Sequence, residues 1–190
     1  MPVRVSIKFI VDAAGNRAAS GIFTSDADVR FEMNTSDEVF AGMDSEVRFV
    51  VTEIIDLPTS LSSYFDAKIA DKDTIRSQAT ANPSTWSWRT NAINVYISGV
   101  QDPSACGVSS FPPNNDIILM VQNNLPGCLT HEKGHSLNLF HTHESNDGCS
   151  DTLADNSGWT SKDQMANANY GSDYDLLTAA QKDAVDRTWH

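Results

Sequence analysis

Apolar and polar residues alternate from the start of the chain, with Val3, Val5, Ile7, Phe9 and Val11 interleaved with Arg4, Ser6 and Lys8. A period of two sets the apolar residues on one side of a β-strand, so this pattern predicts a first strand with one buried face. AAGN at 13–16 ends it. Val47, Phe49 and Val51 mark a second strand and Ile93, Val95 and Ile97 a third, while IILMV at 117–121 reads as a short fourth between the turn-forming PPNND and QNN. Ser25 followed by Asp28 has the form of a helix start, with Val29, Met33 and Phe40 at helical spacing, although VRFEM alone alternates like a strand; helix is the preferred reading. A polar, helix-capable region covers 61–81. Thr178 and Gln181 form a capping box ahead of a last helix through AQKDAVDRTW.

Neither repeats nor a Pro/Gly-rich linker interrupt the 190 residues, which are expected to form one domain. That length suffices to bury roughly 70 % of the unfolded surface, so no metal or disulfide is needed merely to fold. Apolar content of 40 % with four Trp fits a globular protein. A net charge of −12 argues against nucleic acid and anionic membrane as partners, since phosphate neutralisation needs a basic face. It suits basic substrates or bound cations, and equally the plain solubility of a secreted protein. No stretch approaches the ~20 apolar residues that cross a bilayer, and the N-terminus lacks the basic-then-apolar layout of a signal peptide. Three cysteines, Cys106, Cys128 and Cys149, cannot all pair with one another; one bridge plus a free thiol and three buried thiols both remain open.

The chemistry concentrates in HEKGHSLNLFHTHES at 131–145, which holds four of the five histidines. His131 and His135 are four apart, so on a helix they share a face about one turn from each other and can bind one ion. Glu132 lies beside the first, where a carboxylate can take a proton from water held by the metal without being a ligand itself. An ordinary surface helix with two histidines has the same spacing. The third histidine discriminates. His141 is six residues past His135, and six residues rotate about 600° at about 100° each, so no continuous helix presents both on one face. The helix must stop and fold back, which calls for a left-handed residue, Gly by preference and Asn next. Asn138 stands at that place. His143 falls outside this spacing and is read as a surface or supporting histidine; His190, the last residue, is assigned no role.

H-E-x-x-H-x-x-N-x-x-H resembles the metzincin signature H-E-x-x-H-x-x-G-x-x-H, which a methionine turn follows, with Asn138 in place of the glycine. INVYIS at 93–98, GVSSFP at 107–112, DIILM in the position of an edge strand, LTHEKGHSLNLFHTHE and DGCSDT at 147–152 are together similar to the pappalysin-like (ulilysin-type) metzincins. The likeness runs from about Ile93 to Gln181 and more faintly over the first strand. Departures are Leu153 where the family has proline, and Asn167 where it has tyrosine after the methionine turn, leaving Tyr170 as the nearest candidate.

The resemblance implies an α+β, metzincin-type zincin: a twisted mixed β-sheet with an edge strand and a zinc-binding active-site helix, over an upper subdomain of about 1–138. A smaller irregular C-terminal subdomain of about 139–190 would hold the methionine turn and final helix. It implies zinc on His131, His135 and His141, with water in the fourth position of a tetrahedral site. Met165 would pack beneath the zinc and Tyr170 would contact the reacting group. It also implies calcium in NDGCSDTLAD, where Asp147, Asp151, Thr152 and Asp155 supply hard oxygens, although Asp-rich turns also occur without metal. Cys106, ahead of the edge strand, would pair with Cys128 at the start of the zinc helix and leave Cys149 free.

The function so implied is a zinc-dependent endopeptidase acting on protein or peptide substrates, secreted, with its leader and any pro-segment absent from these residues, and monomeric by preference. Asp173 and Asp175 follow the methionine turn where the family's pocket for the residue after the cut is floored, which implies a preference for Arg or Lys there; otherwise both only favour the N-terminus of the last helix. The rivals are a zincin-fold binding or adhesion module without turnover, and a zinc hydrolase of another bond. Glu132 separates the first rival, because idle relatives usually lose the base.

Overall fold

The computed structural model describes residues 2–42, 47–123 and 127–139. His141 and His143, the acidic loop with Asp147, Asp151, Thr152 and Asp155, Cys149, Met165, Tyr170, Asp173, Asp175 and the expected last helix lie outside the described residues. The elements in order are β1 (Pro2–Phe9), α1 (Asp26–Gly42), β2 (Arg48–Asp56), α2 (Lys72–Ala81), β3 (Ile93–Ile97), β4 (Gly107–Ser109), β5 (Ile117–Met120) and α3 (Cys128–Ser136). Two 3-10 turns, Thr59–Tyr64 and Ile69–Asp71, lead into α2. None of the described helices is long and apolar enough to cross a membrane.

The strands form one mixed sheet in the order β2-β1-β3-β5-β4, parallel except for β4, which runs antiparallel to β5. The DIILM segment expected at an edge is therefore interior: all four residues of β5 are buried, and the edge beyond it belongs to the three-residue β4. So short a strand shows no alternation to read.

β1 departs from the expected single buried face. It lies between β2 and β3, and Ser6 and Lys8 are as buried as Val5 and Ile7. A strand inside a parallel sheet is covered on both sides, and here one side has a polar core. Val5, Ile7, Phe9, Val95, Ile97, Ile118 and Met120 belong to the apolar cluster that includes buried residues of α1 and α3. On the other face Trp86, Trp88, Tyr96, Ile117 and Leu119 pack with Ile75 and Ala79 of α2. Amid this second layer runs a polar row. Ser6 pairs in register with Glu53 on one side and Asn94 on the other, and its hydroxyl donates to Glu53 at 2.5 Å. Lys8 Nζ donates to Asn94 Oδ1 at 2.5 Å and to Ser6 O at 3.3 Å, and lies 5.1 Å from the centre of the Tyr96 ring. Burial lowers the Lys8 ammonium to about 7, against the opposing pull of Glu53. Arg89 closes the row with two hydrogen bonds to Glu53, of 2.7 and 2.6 Å.

The ambiguous stretch is helical. Ser25 and Asp28 cap each other, Ser25 N–H donating to Asp28 Oδ2 at 2.8 Å and Asp28 N–H to Ser25 Oγ at 3.3 Å. Val29, Met33 and Phe40 face the sheet, and Phe31 is 66 % exposed, which a strand reading of VRFEM would have buried beside Val29 and Met33.

Cys106 and Cys128 form a disulfide that ties the segment before β4 to the start of α3. The bridge closes 22 residues of sequence separation, for which chain entropy gives roughly 3 kcal/mol of stabilisation. Replacing both by alanine should lower unfolding free energy by about that amount. Thiol titration of the denatured, unreduced wild type should find one free thiol; three would contradict the bridge.

Candidate metal centre

α3 is buried along its whole length, so each of its side chains is held by neighbours rather than by helix propensity. His131 and His135 lie on one face with ring centroids 4.7 Å apart and planes at 85°. Past Ser136 the chain ends the helix with two bonds: Leu139 N–H reaches back to Gly134 O at 3.0 Å and Asn138 N–H to His135 O at 2.9 Å. That pair is a Schellman motif, which requires a left-handed residue, and Asn138 has φ of 71°. The same turn orients a histidine: His135 Nδ1 lies 2.7 Å from Leu139 O. A carbonyl only accepts, so Nδ1 carries the proton and Nε2 keeps the lone pair a metal needs.

Glu132 is 5 % exposed, and burial pushes its carboxyl up to about 8, opposed by the backbone N–H of Ser109 and the charge of Lys72. β4 passes close over it. A Cβ on Gly107 would lie 2.8 Å from Met120 Sδ and 3.0 Å from Glu132 Cγ, so a side chain there would press on both. Ser109 Oγ meets Ser136 Oγ at 2.7 Å, and Asn115 Nδ2 donates to Ser136 O at 2.7 Å, so the strand and the loop after it are fastened to the end of α3. In that loop Phe111 sets its ring 4.9 Å from that of His135. Lys72 Nζ donates to Ser110 Oγ, bringing a cation from α2 to the same side.

Among the described residues no group of three or more His, Cys, Asp or Glu side chains forms a complete metal set. Two imidazoles on one face, one with its tautomer fixed by a carbonyl, are donors of the type zinc takes. They fit as part of a site that needs at least one ligand more. Glu132 is held by β4 through the Ser109 N–H. The sequence motif brought His131, Glu132, His135 and Asn138 to notice. It did not single out Ser109, whose contribution is a backbone N–H, or Gly107, whose segment stood out only by resemblance.

The mixed five-stranded sheet backed by helices, with this motif on a buried helix, makes this an α+β fold. Sequence comparison alone finds neither a matching family model nor a matching curated protein. Solved structures do match. Mature mirolysin of Tannerella forsythia, in complex with a cleaved peptide, superposes with a TM-score of 0.57 at 14 % identity over 97 % of this chain and 89 % of that one. Metalloproteinase-II from Bacteroides fragilis gives 0.51 at 13 % identity over 98 % of this chain. A chain in a chaperone-substrate complex gives 0.58 at 12 % identity, also over 98 %. This protein spans 53 % of the Bacteroides chain and 34 % of the chaperone-complex chain.

Proposed function

We propose that this chain is a zinc-dependent endopeptidase of the pappalysin-like metzincin group. The observation that carries the reading is the end of α3: His131, Glu132 and His135 share a buried helix that stops at a left-handed Asn138, in a fold also found in a metalloproteinase. His131, His135 and His141 would hold the zinc, which when bound supplies Lewis acidity toward the scissile carbonyl and acidifies water. Glu132 takes the proton of the attacking water on its carboxylate and hands it to the leaving amine. Ser109 N–H and β4 hold that carboxylate in place. The positive charge that His131 and His135 would gather beside Glu132 opposes the effect of burial and favours its ionised form. Met165 and Tyr170 keep the roles the resemblance gives them, beneath the metal and beside the reacting group.

A peptide library with and without a chelator tests the whole reading. Cleavage should vanish with chelator and return with zinc, and new N-termini should begin with Arg or Lys where Asp173 and Asp175 line the pocket. A preference for Leu or Phe would remove both aspartates from it. A chain that binds one zinc and cuts nothing would be a binding module.

The Cys106–Cys128 bridge supports an oxidising, extracellular setting. Calcium at Asp147, Asp151, Thr152 and Asp155 rests on the resemblance and on their oxygen-rich spacing. Millimolar calcium should then raise the melting temperature relative to chelator; unchanged melting counts against the site.

A further inference from the structure

We infer that Glu32 and Ser36, on α1, set the rotation of the zinc-binding helix about its own axis and are positioning residues for the metal site; this rests on the function proposed above. α3 begins without a cap of its own. Gly127 is its N-cap, with φ of 79° and no side-chain cap hydrogen bond. An acceptor at this end comes from α1: Glu32 Oε2 takes the Gly127 N–H at 2.8 Å, and Glu32 is 1 % exposed. One turn further along both helices, Ser36 Oγ meets Thr130 Oγ1 at 2.6 Å while also donating to Glu32 O at 2.9 Å. A third contact completes the line, with Lys133 Nζ 3.3 Å from Met33 Sδ and 4.2 Å from the centre of the Phe49 ring.

Gly127, Thr130 and Lys133 recur every three residues, so they form one stripe along α3. At about 100° per residue that stripe lies roughly 120° round the helix from His131 and His135 and nearly opposite Glu132. Apolar packing between two helices is non-directional, and repacking tolerates small rotations. Hydrogen bonds of 2.6–2.8 Å between buried partners do not, because a turn of the helix would leave a buried carboxylate or N–H unmade. Zinc demands such control, as ligand distances hold to within about 0.2 Å. Glu32 and Ser36 thus act on the metal through the helix, without touching it.

The test measures zinc affinity of the full chain by competition with a chromophoric chelator, beside melting of the zinc-free chain. Glu32→Ala should weaken zinc binding about tenfold or more, in the range seen when groups supporting a ligand are removed. Glu32→Gln keeps the acceptor oxygen and should stay within about threefold. Ile75→Val, in the core on the far face of the sheet, should lower melting yet leave zinc affinity within about twofold. Zinc affinity in Glu32→Ala that falls no further than in Ile75→Val overturns the inference alone. A wild-type chain that takes up no zinc overturns it together with the metallopeptidase reading. Should Glu32→Ala not fold, Ser36→Ala decides: about threefold weaker zinc binding supports the seam, and unchanged binding overturns it.

Discussion

Glu132→Ala is expected to reduce peptide cleavage by about a hundred- to ten-thousandfold while zinc content stays near one per chain, the range that removal of a general base produces. The separation of the two readouts is what makes the result informative. Glu132 lies against Gly107 and its carboxyl takes the Ser109 N–H, and in the proposed site it is not a ligand, so its loss should not release metal. Stability should change little or rise, because the variant removes a carboxylate that burial disfavours. Turnover of a fluorogenic peptide and metal analysis of the same sample give the answer. Retained activity would end the mechanism. His143→Ala should keep both metal and activity, and loss of zinc there would show His143 rather than His141 to be the third ligand.

The second large effect belongs to Lys8, on the face of the sheet away from α3, and appears as a dependence of stability on pH. Its folded-state value is about 7, while an unfolded lysine titrates near ~10.4. Between these values the unfolded chain binds a proton that the folded chain does not, so the contribution of Lys8 to stability rises with pH across the window, beside that of Lys133, which burial also lowers to about 7, and against that of Glu132, which burial raises to about 8. At about 1.36 kcal/mol per pH unit, the gain from pH 7 to about 9.5 is roughly 3 kcal/mol. The charged neighbours are Glu53, which opposes the shift, and Arg89, which adds to it. Tyr96, whose hydroxyl burial pushes upward, begins to matter only above that window. Lys8→Met should make the rise shallower by that amount, leaving the part that Lys133 contributes, and be the more stable protein at pH 6. Asn94 Oδ1 would not be orphaned, since it also accepts the Arg89 N–H at 2.9 Å. Urea unfolding of both chains at pH 6, 7.5 and 9.5 gives the comparison, and parallel curves would show that Lys8 does not titrate in this range.

Lys8 also shows where reading the sequence reached its limit. Period-two spacing located the apolar residues of β1, but an alternating Arg4, Ser6, Lys8 face looks the same whether it meets water or a satisfied polar row. Only the later arrival of Glu53, Arg89 and Asn94 decides which. The strand also ends at Phe9 rather than Val11. The histidine spacing was more informative, because it constrains geometry within a few turns of chain: His131 and His135 on one face, and a left-handed Asn138 after them, follow from helix rotation. The Cys106–Cys128 pairing came from family likeness, not from spacing. What packs against Glu132, and what holds α3 from behind, comes from β4 and α1. Such long-range partners leave no periodic trace.

The place of β1 in the sheet bears on how the chain acquires its structure. The first strand in sequence is an interior strand, and its two neighbours come from residues 48–56 and 93–97. No hairpin can therefore seed this part of the sheet, and the sole antiparallel pairing among the described residues, β4 with β5, sits at the far border. Loop closure over such separations must precede any reward from pairing, so folding should be slow for a chain of this size and commit late. Until β2 and β3 arrive, Val3, Val5, Ile7 and Phe9 present an unpaired apolar ribbon, the interval in which self-association competes with folding.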